Sequence, residues 1–299
     1  MAGDAYYSQC VLRLHCDGAN NATTFTDSSI TPKTGTANGN AKLSTTRPKF
    51  GTAAGEFDGT GDYVQFANSA DFSFGSGDFT ISGWFETDTI TGAHAIIGYA
   101  NGSASNSNYE FQIIINGSTF SPSFFSGTTQ YGPTKSGVSI GTKHHWAVER
   151  YGNNLTAYLD GVGGTPVDVT GVTANNPSSS ILQIGQVQGY YPWDGAIDEI
   201  DIVKGVARYQ GDFTPPAAAL IDGMGQVSGT VRDDTGALCA RTVRIYRRDT
   251  GGLIGSTTSD ASLGTYTINC PTLDEVQRIV LDDSGGTLYN DLVDRVIPA

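Results

Sequence analysis

Short bursts in which apolar and polar residues alternate, each closed by Gly, Asn or Asp, recur along most of this chain and constrain its fold more than any other feature. Examples are QCVLRLHC, GDYVQF, DFTISGWFET, YEFQIIIN, HHWAVERY, NLTAYLDG and GAIDEIDIV. A period of two places every second side chain on one face of a strand, so each burst reads as a half-buried strand. Turns fall roughly every 8–12 positions, the spacing of an antiparallel sandwich. The 39 glycines among 299 residues, nearly twice the usual share of about 7%, supply those turns. Tyr151-Gly-Asn-Asn154 and Asp160-Gly161 read as hairpin turns. No stretch repeats at helical period, which excludes a bundle or coiled coil, and one short helical turn is expected near Val206–Tyr209.

The rhythm breaks at FTPPAAALIDGMG, residues 213–225, where paired prolines cannot donate to a strand ladder. The break divides the chain into residues 1–222, an antiparallel two-sheet jelly-roll sandwich, and 223–299, a small β-sandwich with strands VSGTV, RTVRIYRR, LIGSTT and TYTIN. The fold class is all-β.

Thirty acidic against 17 basic residues give a net charge of -13, which leaves no footprint for a nucleic-acid backbone. No apolar run reaches the roughly 18 residues of a membrane span, and MAGDAYYSQC lacks the pattern of a signal peptide, so neither membrane nor secretory export is expected. If residues 10–16 form one strand, Cys10 and Cys16 lie ~20 Å apart on one face, too far for a disulfide. Cys239 and Cys270 lie in separate segments that could face one another; without an export signal, reduced thiols are expected instead.

Three ordered blocks, GEFDGTGDYVQFANSADFSFGSGDFTISGWF, HHWAVERYGNNLTAYLDGV and ILQIGQVQGYYPWDGAIDEIDIVKGVARYQGDFTPP, resemble the concanavalin A-like, laminin-G-type jelly rolls of bacteriophage virion proteins over roughly residues 8–220. The later segment is similar to transthyretin-like, carboxypeptidase-regulatory-like sandwiches in Gly229-Thr-Val231, Gly236, Arg244-Ile-Tyr246, Ser259-Asp260 and Gly264-Thr-Tyr266. The resemblance implies a non-enzymatic virion component of tail, fibre or capsid surface. It would assemble in the host cytoplasm as a symmetric homo-oligomer such as a trimer, with other virion proteins and a host-surface glycan as partners.

Glu199-Ile-Asp201-Ile-Val203-Lys204 resembles the E-I-D-I-V-E signature of glycosidases sharing this fold, which makes a polysaccharide depolymerase the alternative. Lys204 stands where the second carboxyl would be, and a lysine cannot serve as the protonated carboxylic acid of a retaining mechanism. His144 and His145 are adjacent and would point to opposite faces of a strand, so they cannot share a metal or a serine. Calcium is the one ion the composition suggests, with Asp58, Asp62, Asp160, Asp194 and Asp198 as oxygen donors in turns; the alternative is that these acids only cap the turns. Sugars are held by aromatic faces beside amide and carboxylate groups, which points to Tyr190, Tyr191, Trp193 and Asp194, with Tyr131 and the Asn101–Tyr109 loop beside them. The alternative for these residues is that Trp193 plugs the space under the sheet and Tyr190 or Tyr191 belongs to a protein interface. A ligand-free capsid decoration protein is the third possibility. Trp84 and Trp146 are expected to pack in the core.

Overall fold

The computed structural model describes residues 4–102, 105–223, 225–233, 235–247, 251–270, 276–281 and 291–296. The chain divides into two compact units, Gln9–Leu220 and Met1–Ser8 with Ile221–Ala299. The division thus falls two residues before the expected one. The segment ahead of Gln9 groups with the second unit, where the Asp4 N–H donates to the Gly223 carbonyl (3.0 Å).

Two antiparallel sheets build the first unit, stacked face to face as a jelly roll. The nine-stranded sheet runs β14 (Val162–Gly163), β13 (Asn154–Leu159), β12 (His144–Tyr151), β6 (Phe79–Thr87), β17 (Asp194–Lys204), β4 (Ala54–Asp58), β3 (Lys42–Ser44), with β1 (Cys10–Leu14) on β17 and β15 (Val167–Asp168) on β13. The eight-stranded sheet runs β10 (Thr129–Tyr131), β9 (Thr119–Ser126), β8 (Tyr109–Asn116), β7 (Ala93–Ala100), β16 (Ile181–Ile184), β5 (Tyr63–Phe66), β2 (Gly35–Asn38), with β11 (Lys135–Ser136) on β9.

The alternation read from sequence sorts side chains as expected. Phe79, Ile81 and Phe85 of β6 point inward with Trp146 and Val148 of β12, against Phe111, Ile113 and Ile115 of β8 and Phe120 and Phe124 of β9. Phe79 stacks on Phe124 from the opposite sheet at 4.7 Å between centroids. Each such ring withdrawn from water contributes about 1.5–3 kcal/mol, and the layer of them holds the sheets together.

Three local expectations are corrected. β1 carries a bulge between Cys10 and Leu12, so Cys10 leaves the face of Leu12 and Leu14 and its Sγ approaches Asp201 Oδ1 (3.3 Å) on the outer side. Val206–Tyr209 is not helical: the Arg208 N–H donates to Thr80 Oγ1 and the Tyr209 N–H to Glu149 Oε2, so the helical ladder has no donors there. Trp146 is in the core, but Trp84 packs on the outer face of the nine-stranded sheet, edge-on to Phe50 and His145 with Lys49 Nζ 3.7 Å from its ring centre.

In the second unit β18 (Gly225–Thr230) pairs with β21 (Thr265–Cys270), and a second sheet runs β20 (Leu253–Thr258), β19 (Thr242–Arg247), β22 (Val276–Leu281), β23 (Asp291–Val296). Val227, Val243, Ile245, Tyr266 and Ile268 are buried together between them. Cys270 lies opposite Gly225, whereas the Cys239 N–H reaches the Val231 carbonyl. Six residues of strand, ~20 Å, separate the two levels, and none of the four cysteines forms a disulfide. Among the described residues no helix is long and apolar enough to cross a membrane.

Candidate functional site

The two outer faces of the jelly roll hold the residues singled out for chemistry, and they differ in kind. On the nine-stranded sheet β17 bulges between Asp198 and Asp201, with Glu199 in the left-handed region at φ 50°. Gly83 makes room: a Cβ there would lie 3.1 Å from the Trp146 ring and 3.2–3.3 Å from the carbonyls of Asp198 and Glu199. The extra residue lets Asp198 and Asp201 both face outward while Ile197, Ile200 and Ile202 enter the core.

Other groups of the chain hold these carboxylates. Asp201 is buried, and it accepts from Arg13 Nε and Nη2 through Oδ1 (3.0 and 2.8 Å) and from Arg208 Nη2 through Oδ2 (2.7 Å). Glu199 Oε2 meets His15 Nδ1 at 2.9 Å. Asp198 accepts the N–H groups of Lys49 (2.7 Å), Phe50 (3.4 Å) and Glu199 (2.9 Å), yet burial carries its carboxyl up to about 7. Lys204 Nζ donates to the Ala70 carbonyl. A strap, residues 205–216, crosses this face, with Tyr209 and Phe213 stacked at 3.6 Å and packed on His145 and Tyr158. Burial depresses His145 to about 3. His144 faces the other way, onto Phe85, and holds Asp160. The depolymerase alternative is not favoured by this arrangement.

The proposed calcium donors do not converge. Asp58 and Asp62 share one loop, where Asp62 accepts the N–H groups of Asn40 (2.5 Å) and Asp58 (2.9 Å) and Asp58 accepts from Asn40 Nδ2 (3.0 Å) and the Thr60 N–H (2.9 Å). Asp194 is the register partner of Asp58. Asp160 closes β13, with β12, β6 and β17 between it and β4, and accepts from His144 Nδ1 and the His145 N–H. Asp198 is occupied by the three backbone donors above. Among the described residues no group of three or more His, Cys, Asp or Glu is arranged to hold a metal.

The eight-stranded sheet presents the other face. Ala95, Ala100, Tyr109, Ile114, Phe125 and Val187 form a second, smaller apolar cluster on its outer side. Between β16 and β17 the chain folds back over this side in a tight turn, with Val187 and Tyr190 exchanging backbone hydrogen bonds (3.0 and 2.8 Å). Val187 packs down on Gly98, where any Cβ would collide with it. The Gln188 N–H donates to Gln183 Oε1 (2.6 Å) and its Nε2 to the Ala100 carbonyl (2.6 Å), so the turn is tied to the sheet at both strands beneath it. The Ala95 N–H then holds the Tyr191 carbonyl at 2.7 Å.

Tyr190 and Tyr191 are consequently fixed by their backbone and open at their rings, 49% and 40% exposed with centroids 6.2 Å apart. Gly98 pairs with Gln112, and Ala95 with Ile114, which puts the two tyrosines beside that stretch of β8. Burial, followed by the phenols of Tyr191 and Tyr190, raises the Tyr109 hydroxyl above its ordinary value. On the far side Gln130 Nε2 donates to Ser123 Oγ (2.7 Å). The result is an apolar floor, two exposed aromatic rings and neutral amide and hydroxyl groups on either hand.

Of the residues expected to hold sugar, Tyr190 and Tyr191 stand at this site. Trp193 does not: it is fully buried, edge-on to Phe85, because its backbone is drawn in by Gly185 and its ring plugs the space between the sheets. Asp194 follows it into β17 at the opposite sheet. Tyr131 pairs with Phe124 and packs against the central core, so its neighbour Gln130 takes the outer place. In the Asn101–Tyr109 loop, residues 103 and 104 lie outside the described residues; Tyr109 itself joins the floor. Sequence reading missed Gln112, Gln130 and Ser123, although their period-2 places opposite Phe111, Phe124 and Tyr131 were there to be used.

A family model, the concanavalin A-like lectin/glucanases superfamily, matches residues 58–208. Among solved structures, the chain is similar to the binding domain of botulinum neurotoxin serotype G, with TM-score 0.53 and 10% identity over 96% of this chain and 70% of that one. The binding domain of Paraclostridial Mosquitocidal Protein 1 gives 0.52 and 11% over 98% and 74%. Domain 4 of AbnA, a GH43 extracellular arabinanase from Geobacillus stearothermophilus solved with arabinotriose, gives 0.50 and 17% over 68% and 96%. At these identities the likeness is one of fold. No sequence among the curated proteins matches the chain.

Proposed function

Because this chain belongs to the concanavalin A-like lectin/glucanases superfamily, we propose that its jelly roll is a non-catalytic module that binds glycan on the outer face of the eight-stranded sheet. The observation that carries this reading is the exposed Tyr190–Tyr191 pair, anchored through Gln188 and Ala95 above an apolar floor, with Gln112 and Gln130 facing outward on strands of the same sheet. Sugar rings offer weakly polar C–H faces to aromatic rings and hydroxyls to amides, and this surface has both. The glycosidase-like segment supports no second reading, since Arg13, Arg208 and His15 occupy its carboxylates. The fold itself is used for binding in the toxin domains, and the arabinanase domain was solved with arabinotriose.

The setting we propose is a phage virion, as a tail, fibre or capsid-surface component assembled in the host cytoplasm as a symmetric homo-oligomer. The ordered sequence blocks support that setting, with the second unit as the part that docks or spaces the jelly roll. A glycan array probed with the full chain tests the binding claim. At least one glycan should be retained, and Tyr191→Ala should weaken it by tenfold or more while leaving the melting temperature unchanged. An array silent throughout would leave the decoration protein standing. Release of reducing sugar that disappears in Glu199→Gln would restore the hydrolase.

A further inference from the structure

Resting on that binding reading, we propose that the site selects uncharged glycans and rejects anionic ones. The protein carries a net charge of -13, yet the outer face of the eight-stranded sheet is neutral. One register row crosses it from strand to strand as Thr36, Gln65, Gln183, Gly98, Gln112 and Ser123. Of the rows on either side, one holds Ile181 and Ala100 and the other Tyr63, Ala95, Ile114 and Ser121; among the described residues the strands put no Asp, Glu, Lys or Arg on this face. The two candidates for an exception turn away. Glu110 is the extra residue of a bulge in β8, fully buried, and accepts the Phe74 N–H (2.6 Å). Lys135 pairs with the inward-facing Phe120 and donates to the Gly163 carbonyl (3.3 Å).

A carboxylate or sulfate arriving at this face would shed water and meet no guanidinium or ammonium to replace it, while the net negative field of the protein opposes its approach. A hydroxyl-rich neutral ring exchanges water for amide and tyrosine partners of similar strength, and its binding has no Coulomb component for salt to screen.

Titration calorimetry on the full chain tests the selection. The probes are neutral gluco-, galacto- and arabino-oligosaccharides against oligogalacturonate and sialyllactose, each at about 0.02 and 0.5 M salt, where the screening length falls from roughly 20 Å to about 4 Å. A neutral probe should bind with a Kd that changes by less than about twofold between the two conditions. Gln112→Ala and, separately, Gln130→Ala should each weaken it by about three- to tenfold, the loss of one amide hydrogen bond. Tighter binding of oligogalacturonate or sialyllactose, weakened by salt, would overturn the selection and leave the binding module intact. Failure of every probe, neutral and anionic, would bring down both.

Discussion

The two outer faces of this sandwich arise from the same alternation and differ in what they carry. On the nine-stranded sheet the outward positions carry Asp201, Glu149, His145 and Trp84, with Asp198 at the bulge, and the strap at 205–216 covers much of that surface. Asp201 there is matched by Arg13 and Arg208, and Glu149 and Asp198 by backbone donors, so these groups hold the chain together. On the eight-stranded sheet the outward positions are neutral, and what lies over them is a turn that leaves two aromatic rings in solvent. Ionisable residues are therefore a poor guide to the surface proposed here to bind. The uncharged face is the one left open.

The sharpest way to break that contrast is to unbalance the covered face. Asp201→Ala leaves the guanidiniums of Arg13 and Arg208 buried without their shared carboxylate, and should cost about 3–5 kcal/mol in urea denaturation. Asp201→Asn, which keeps the shape, should not recover most of that loss. A cost under about 1 kcal/mol for both would mean that the ion pairs contribute little.

Two buried groups, one in each sheet, should titrate in opposite senses. Burial raises Glu110, in the eight-stranded sheet, from 4.5 to about 7, so the native chain holds a proton that the unfolded chain has released. That group supports the fold fully below about pH 4.5, and its contribution is lost as the pH rises through 7. His145, under the strap, is depressed from 6.5 to about 3, so its contribution is present above 6.5 and lost as the pH falls toward 3. Relative to the wild type, Glu110→Gln should gain on the order of 2 kcal/mol between about pH 4.5 and 7.5. His145→Phe should flatten the decline in stability on the acid side. Parallel profiles for wild type and both variants would erase the contrast.

The smallest effect on stability belongs to the open face. Tyr190→Ala and Tyr191→Ala should each shift unfolding by no more than about 0.5 kcal/mol, since their rings contribute little to the core. A loss of 2 kcal/mol or more, on the scale of a core ring, would show that the pair props up the turn instead of facing a ligand.

Much of the sandwich was legible because alternation fixes which face a residue takes: Phe79, Ile81 and Phe85 fell inward, and His144 and His145 fell apart, as their spacing requires. What escaped were departures from strict alternation. One extra residue at Cys10–Leu12 and another at Asp198–Asp201 reverse the faces of everything beyond them, and nothing in CVLRL or DEID marks where the bulge falls. Tyr131 was misplaced, and Trp193 left open between sugar contact and plug, for a related reason. In a loop or a short edge strand, aromatic character says that a ring needs cover but not which side supplies it. The segment Val206–Tyr209 lost its helical turn to Thr80 and Glu149, more than a hundred and about sixty positions away, an attraction invisible to local reading.

Trp193 and the tyrosine pair occupy one short stretch of backbone, and the buried indole has a bearing on how the exposed rings work. With Trp193 sealed between the sheets and Gln188 bonded at both ends, the platform has little freedom left to lose when a ligand arrives. Such preorganisation lowers the entropic penalty of capture, and small departures from the preferred shape are rejected instead of accommodated. In the homo-oligomer proposed above, a rigid reader would suit weak individual contacts repeated over many copies, where selectivity comes from fit and strength from number.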